Sequence, residues 1–91
     1  MELKYRDQIL TALGKIAKIN SDMVDGNSKI MSDFHLESID FVDFIFLLEK
    51  ETNIQIDISD LSIRFAEETG KKFSDLTIMD IDLYLRRNIN E

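Results

Sequence analysis

The sequence predicts an all-α protein, a small four-helix bundle with a long loop between its first and second helices. Three observations carry that prediction. The 91 residues contain no Pro and only three Gly, a composition that favours long helices over turn-rich β structure. Apolar residues recur at spacings of three and four in separate stretches along the chain, the period of a helix with one buried face. The one alternating stretch, Asn53-Ile54-Gln55-Ile56-Asp57-Ile58, has no second strand to pair with. It reads as an extended loop that tucks Ile54 and Ile56 inward.

The first helix is expected over Leu3 to Ile19, where Tyr5, Ile9, Leu13 and Ile16 make an apolar stripe with Leu10 and Ala17 beside it. Lys15 and Lys18 would close its last turn, where positive charge suits the helix dipole. From Asn20 to Glu37 the periodicity stops, and Asp25-Gly26-Asn27-Ser28 is a strong turn signal. So long a connection needs anchors, and Met23, Val24, Ile30, Met31, Phe34 and Leu36 can supply them. The second helix is expected over Ser38 to Glu51, with Ser38 as N-cap. It is unusually apolar: from Ile39 to Leu48 only Asp40 and Asp43 are polar. Asp60 to Thr69 reads as a short third helix built on Leu61, Phe65 and Ile63 and closed by Gly70. Thr77 to Asn88 is the fourth. Thr77 caps it, Asp80 reaches back in a capping box, and Ile78, Ile81 and Leu85 form its inner stripe.

Residues 1–91 are expected to form a single domain, since a chain this short buries little more than ~60% of its unfolded surface and leaves no cleft between lobes. With 44% apolar and 32% charged residues the composition is that of a folded globule. No apolar run is long enough to span a membrane, and Met1 to Asp7 lacks a secretory apolar stretch, so a cytoplasmic protein is expected. The net charge of −7 is concentrated: between Asp33 and Asp60 stand eight acids and Lys50 alone, and the remainder of the chain is neutral. Such a segment repels nucleic acid and favours basic partners.

Little conventional chemistry is available to these residues. With no Cys and one His, a zinc site is excluded, and Asp80-x-Asp82 and Asp57-x-x-Asp60 fall short of a calcium loop. His35, three residues before Ser38, and nearby Asp33 suggest a hydrolytic triad, but there is no G-x-S-x-G elbow, and the acids around Ser38 would oppose an oxyanion. No glycine-rich phosphate loop is present.

The run Asp33-Phe34-His35-Leu36-Glu37-Ser38-Ile39-Asp40-Phe41-Val42-Asp43 resembles the attachment motif of acyl carrier proteins, D-L-G-x-D-S-L-x-x-V-E/D. The likeness extends to Glu49-Lys50-Glu51 with Ile54 and Ile56, which resemble the family's acidic helix end and I-x-I loop, and to Thr77-Ile78 through Tyr84-Leu85, which resemble its last helix. There are departures. Glu37 stands where the family usually has Asp, His35 where it has Gly, and Ile39 where it has Leu. The stretch between Ile56 and Thr77 is longer than typical, by roughly three helical turns. Phe41, Phe44 and Phe46 make the second helix bulkier than usual. Together these suggest a specialised carrier rather than the housekeeping fatty-acid one.

The resemblance implies a non-enzymatic carrier in lipid or fatty acid biosynthesis. It would hold acyl or related intermediates as thioesters on a 4′-phosphopantetheine arm, drawn from coenzyme A and attached to Ser38. Its partners would be a phosphopantetheinyl transferase (holo-carrier synthase) and acyl-loading and acyl-processing enzymes with basic patches. No nucleic acid, metal or membrane insertion is expected, and the protein would act as a monomer. Glu37, Ile39, Asp40, Asp43, Leu47 and Glu51 are the expected partner-facing residues, because rim charges steer encounter while adding little affinity. Phe34, Val42, Ile45, Phe46, Leu48, Ile56, Ile81 and Leu85 are candidates to line an acyl slot between the second and fourth helices. Alternatively they form ordinary core, which would favour a short or polar cargo. Two rival functions remain: a helical interaction module with the same fold that never carries the arm, and a small hydrolase built on Ser38 and His35.

Overall fold

The computed structural model describes residues 3–70 and 72–87, with Phe73 described by its backbone alone. These residues form four α-helices: α1 (Arg6–Gly14), α2 (Ser38–Thr52), α3 (Ile58–Thr69) and α4 (Ile78–Arg87). Single 3-10 turns stand at Ser21–Met23 and Phe73–Asp75. There is no strand among the described residues, only one antiparallel bridge between Lys29 and Thr77. The expected all-α bundle is what the chain adopts. Among the described residues, no helix is long and apolar enough to cross a membrane.

Helix α1 is shorter at both ends than the apolar spacing suggests. At its start the Tyr5 amide is directed to Asp82 Oδ1 at 2.7 Å. At its end Gly14, a weak helix former, precedes amides of Lys15 and Ile16 that reach back only three residues, to the Ala12 and Leu13 carbonyls. Lys15 and Lys18 therefore lie beyond the helix. Its stripe is nonetheless correct: Tyr5, Ile9 and Leu13 are buried, and Leu10 and Ile16 are partly so.

Asn53 ends α2 in the left-handed conformation (φ 59°). From Ile54 to Asp57 the chain forms neither helix nor strand, with Ile54 and Ile56 buried. The Glu49 carboxylate holds it by accepting the Ile56 N–H at 2.7 Å. Helix α3 begins earlier than expected because Asp57 caps it, accepting the Asp60 N–H at 3.1 Å. Leu61 and Phe65 are its buried residues, whereas Ile63 faces solvent. Gly70, at φ 70°, closes it. The Thr77–Asp80 capping box of α4 is present in both directions. Asn88, its expected last residue, lies outside the described residues.

The long connection is strapped to α4. Helix first-turn amides have no partner inside their own helix, and the loop supplies two: Ile78 donates to Ser28 O and Met79 to Gly26 O, each at 3.0 Å. In return the Ile30 amide donates to Leu76 O at 2.9 Å. A Cβ at Gly26 would stand 3.0 Å from Met79 Cε, so the end of that side chain would have to shift to admit one. Val24 and Ile30 are buried anchors, and Met31, Phe34 and Leu36 are partly buried ones. Met23 is 78% exposed and anchors nothing.

Asp82 joins the two ends of the described fold. Its side chain is 1% exposed and also pairs through Oδ2 with Arg86 Nε at 2.8 Å. Breaking a buried pair leaves unmatched polar groups behind. Asp82→Ala is therefore expected to lower the unfolding free energy by roughly 2–4 kcal/mol, with an unchanged slope in urea. A urea titration followed by circular dichroism checks this.

Candidate functional site at the start of the second helix

Helix α2 does start at Ser38, but Ser38 is not its cap. Glu37 is the N-cap, with extended backbone at φ −94° and ψ 175°. Its carboxylate accepts the Asp40 N–H, while Asp40 Oδ2 accepts the Glu37 N–H at 2.9 Å. This reciprocal box satisfies end groups that a serine hydroxyl would otherwise cap. Ser38 occupies the first helical position, is exposed, and its hydroxyl makes no hydrogen bond to another described residue. Sequence reasoning missed this because Ser is a strong N-cap former. The signal that would have found it is the pair of acids at Glu37 and Asp40, spaced as a capping box.

The approach to Ser38 is tightly built. Asp33 Oδ2 accepts the Lys29 N–H at 2.7 Å, and the Asp33 N–H donates to Lys29 O at 3.0 Å. The turn then closes as Leu36 donates to Met31 O at 2.8 Å and His35 to Ser32 O at 3.4 Å. His35 adopts φ 56°, the left-handed conformation usual for the residue that ends a helical turn in this way. With Asp33 engaged on a backbone amide, no described residue orients His35 for general-base work, and the hydrolytic triad is not assembled among the described residues.

The two faces of α2 differ sharply. Phe41, Phe44, Ile45 and Leu48 are buried, and the rings of Phe41 and Phe44 lie 5.9 Å apart. On the opposite face Ile39, Val42 and Phe46 are 69%, 50% and 56% exposed. Their spacing of three and four aligns them along one side of the helix. Asp43 is exposed beside them, and Lys50 Nζ sits 4.5 Å from the centre of the Phe46 ring.

Several site expectations change accordingly. Val42 and Phe46 turn to solvent, so they do not line an internal slot; a helix with apolar residues all round must expose some of them unless other helices surround it. Ile45, Leu48, Ile56, Ile81 and Leu85 are buried in one continuous core, with Phe34 partly buried against it. Leu47 packs partly against that core rather than standing free for a partner. Glu51 is half-committed to an ion pair with Lys15 at 3.1 Å, and Asp40 and Glu37 hold the cap. A small open cleft of about 40 Å³ lies instead between α3 and α4, over Leu61, Phe65, Leu76 and Tyr84. No candidate slot residue lines it.

The model of the family described as "phosphopantetheine attachment site" matches residues 7–69. That span runs from α1 to the end of α3 and includes Ser38 with its approach, so the chain belongs to the phosphopantetheine attachment site family. Members of this family attach 4′-phosphopantetheine covalently and act as carriers, not catalysts. No curated protein and no solved structure matches the chain. The exposed, unengaged hydroxyl at a helix start fits such a group, because the first amides of a helix favour an anion.

Because the capping box joins two carboxylates to two amides, Glu37→Ala and Asp40→Ala are each expected to cost about 0.5–2 kcal/mol of stability. The double variant should cost less than their sum, since both arms belong to one motif. Thermal unfolding of the four proteins checks this.

Proposed function

We propose that Ser38 bears the 4′-phosphopantetheine arm and that the loaded protein carries acyl or related intermediates as thioesters between biosynthetic enzymes. The observation that carries this reading is the free Ser38 hydroxyl at the head of α2, within the matched segment. Loading from coenzyme A forms an Oγ–P bond and breaks the pyrophosphate, releasing adenosine 3′,5′-bisphosphate, while the serine proton leaves with the transferase's help. The arm ends in a thiol, which supplies the thioester chemistry when cargo is bound. The chain's own part is presentation: α1, the strap and α4 hold the start of α2 in place, and the capping box leaves the hydroxyl uncommitted.

The partner-facing surface in this reading is the outer side of α2. Asp43 steers basic partners, and the stripe of Ile39, Val42 and Phe46 gives them a small apolar landing. Val42 and Phe46 thus replace Leu47 as contact residues. Glu37, Asp40 and Glu51 contribute charge but hold structural bonds as well. Partners meeting this surface are a phosphopantetheinyl transferase and the enzymes that load and process cargo. Steering of this kind speeds association and is weakened by salt.

The close-packed interior supports a short or polar cargo. Phe41 and Phe44 fill the space behind the helix, and forcing a chain into such a core costs typically 1–3 kcal/mol or more in strain.

Incubated with coenzyme A, magnesium and a broad-specificity phosphopantetheinyl transferase, the apo protein is expected to gain the mass of one arm. Ser38→Ala should gain none. Mass spectrometry of the intact protein reads both, and an unmodified wild type across several transferases would favour the non-carrier interaction module. Asp43→Lys is expected to slow modification several-fold at low salt, with the difference shrinking as salt is added and the melting temperature little changed. A rate that holds at every ionic strength would remove Asp43 from the docking surface.

A further inference from the structure

Resting on Ser38 as the attachment point, we propose that His35 donates a hydrogen bond to the phosphodiester of the loaded arm. Three observations meet at this residue. His35 is the chain's only histidine and the only side chain between Lys29 and Lys50 that can carry positive charge. It is exposed and held at φ 56° by the turn that closes through Met31 and Ser32. And it stands where glycine would be the easier residue, since a Cβ is unfavourable in the left-handed region. Histidine tolerates that region better than most side chains but at a cost that glycine does not bear, so its presence there directs attention to the imidazole.

The electrostatics of the approach call for such a donor. Adding a phosphodiester at Ser38 places a negative charge beside Glu37, Asp40 and Asp43. Glu37 and Asp40 are fixed in the capping box and cannot swing away without uncapping α2. Asp33 is bound to the Lys29 amide and the Lys29 ammonium to Asp75. His35, which can carry positive charge, has no hydrogen bond from its ring to another described residue. Its Cα lies at most about 10 Å from that of Ser38 by chain length, within the joint reach of an imidazole and a serine-borne phosphate. An imidazole offers an N–H donor in either protonation state, and a bond to an ionised acceptor is the stronger kind.

The test compares apo and loaded forms of the full chain, wild type and His35→Gly. In the wild type, loading should shift the His35 ring resonances in 1H–15N spectra. Apo His35→Gly should unfold no lower than apo wild type, and up to about 6 °C higher, because glycine relieves the left-handed strain. Loading should then raise the melting temperature of His35→Gly by several degrees less than it raises that of the wild type. Ring resonances unmoved by loading, or equal increments in the two proteins, would overturn the proposal. So would an apo His35→Gly less stable than the wild type, which would mean the imidazole serves the unloaded fold. A wild type that accepts no arm at all would instead refute the assignment of Ser38.

Discussion

The reciprocal bond between Glu37 and Asp40 is the constraint on which the site depends. A helix start must find partners for its first amides, and a serine at that place ordinarily supplies one with its own hydroxyl. Here two carboxylates do that work, which starts α2 firmly and leaves Ser38 exposed. The same two acids belong to the charged segment that gives the chain its −7. They therefore cap the helix and contribute to its field at once. The result is an exposed hydroxyl at the head of a helix whose start is fixed by bonds from two carboxylates to backbone amides.

What holds that element in position is spread over the bundle. The strap from Gly26 to Ile30 closes the first turn of α4, so the loop that leads to Ser38 cannot drift without unsatisfying helix amides. Asp82 ties α4 to the residue before α1, and Lys15 links the far end of α1 to that of α2. The exposed ion pair adds little energy, whereas the buried Asp82 is costly to disturb. Rigidity at the head of α2 is thus inherited from contacts made at the other helices.

Much of this was legible in the residues. The stripes of α1 and α4, the capping box at Thr77 and Asp80, the extended stretch around Ile54 and Ile56, and Gly70 as a stop all follow from local patterns with one strong solution. The start of α2 was legible in place but not in chemistry, because Ser38 is by type the stronger cap former and only the pairing with Asp40 gives that position to Glu37. The start of α1 depends on Asp82, a contact 77 residues away in sequence from Tyr5, which no local pattern records. Helix α2 was the hardest to read. With eight apolar residues from Ile39 to Leu48, periodicity cannot say that Val42 and Phe46 turn outward while Leu47 packs partly inward. The family match agrees with the motif around Ser38 and leaves those orientations to packing.

As proposed, the hydroxyl released by the acidic cap is the one that receives the arm. Fragment mass spectrometry of the tryptic peptide from Ile30 to Lys50, taken from protein purified out of its native cells, tests it most directly, because that peptide holds both Ser32 and Ser38. The arm should be found on Ser38 alone. An arm on Ser32, or a peptide that is bare throughout, would contradict the account.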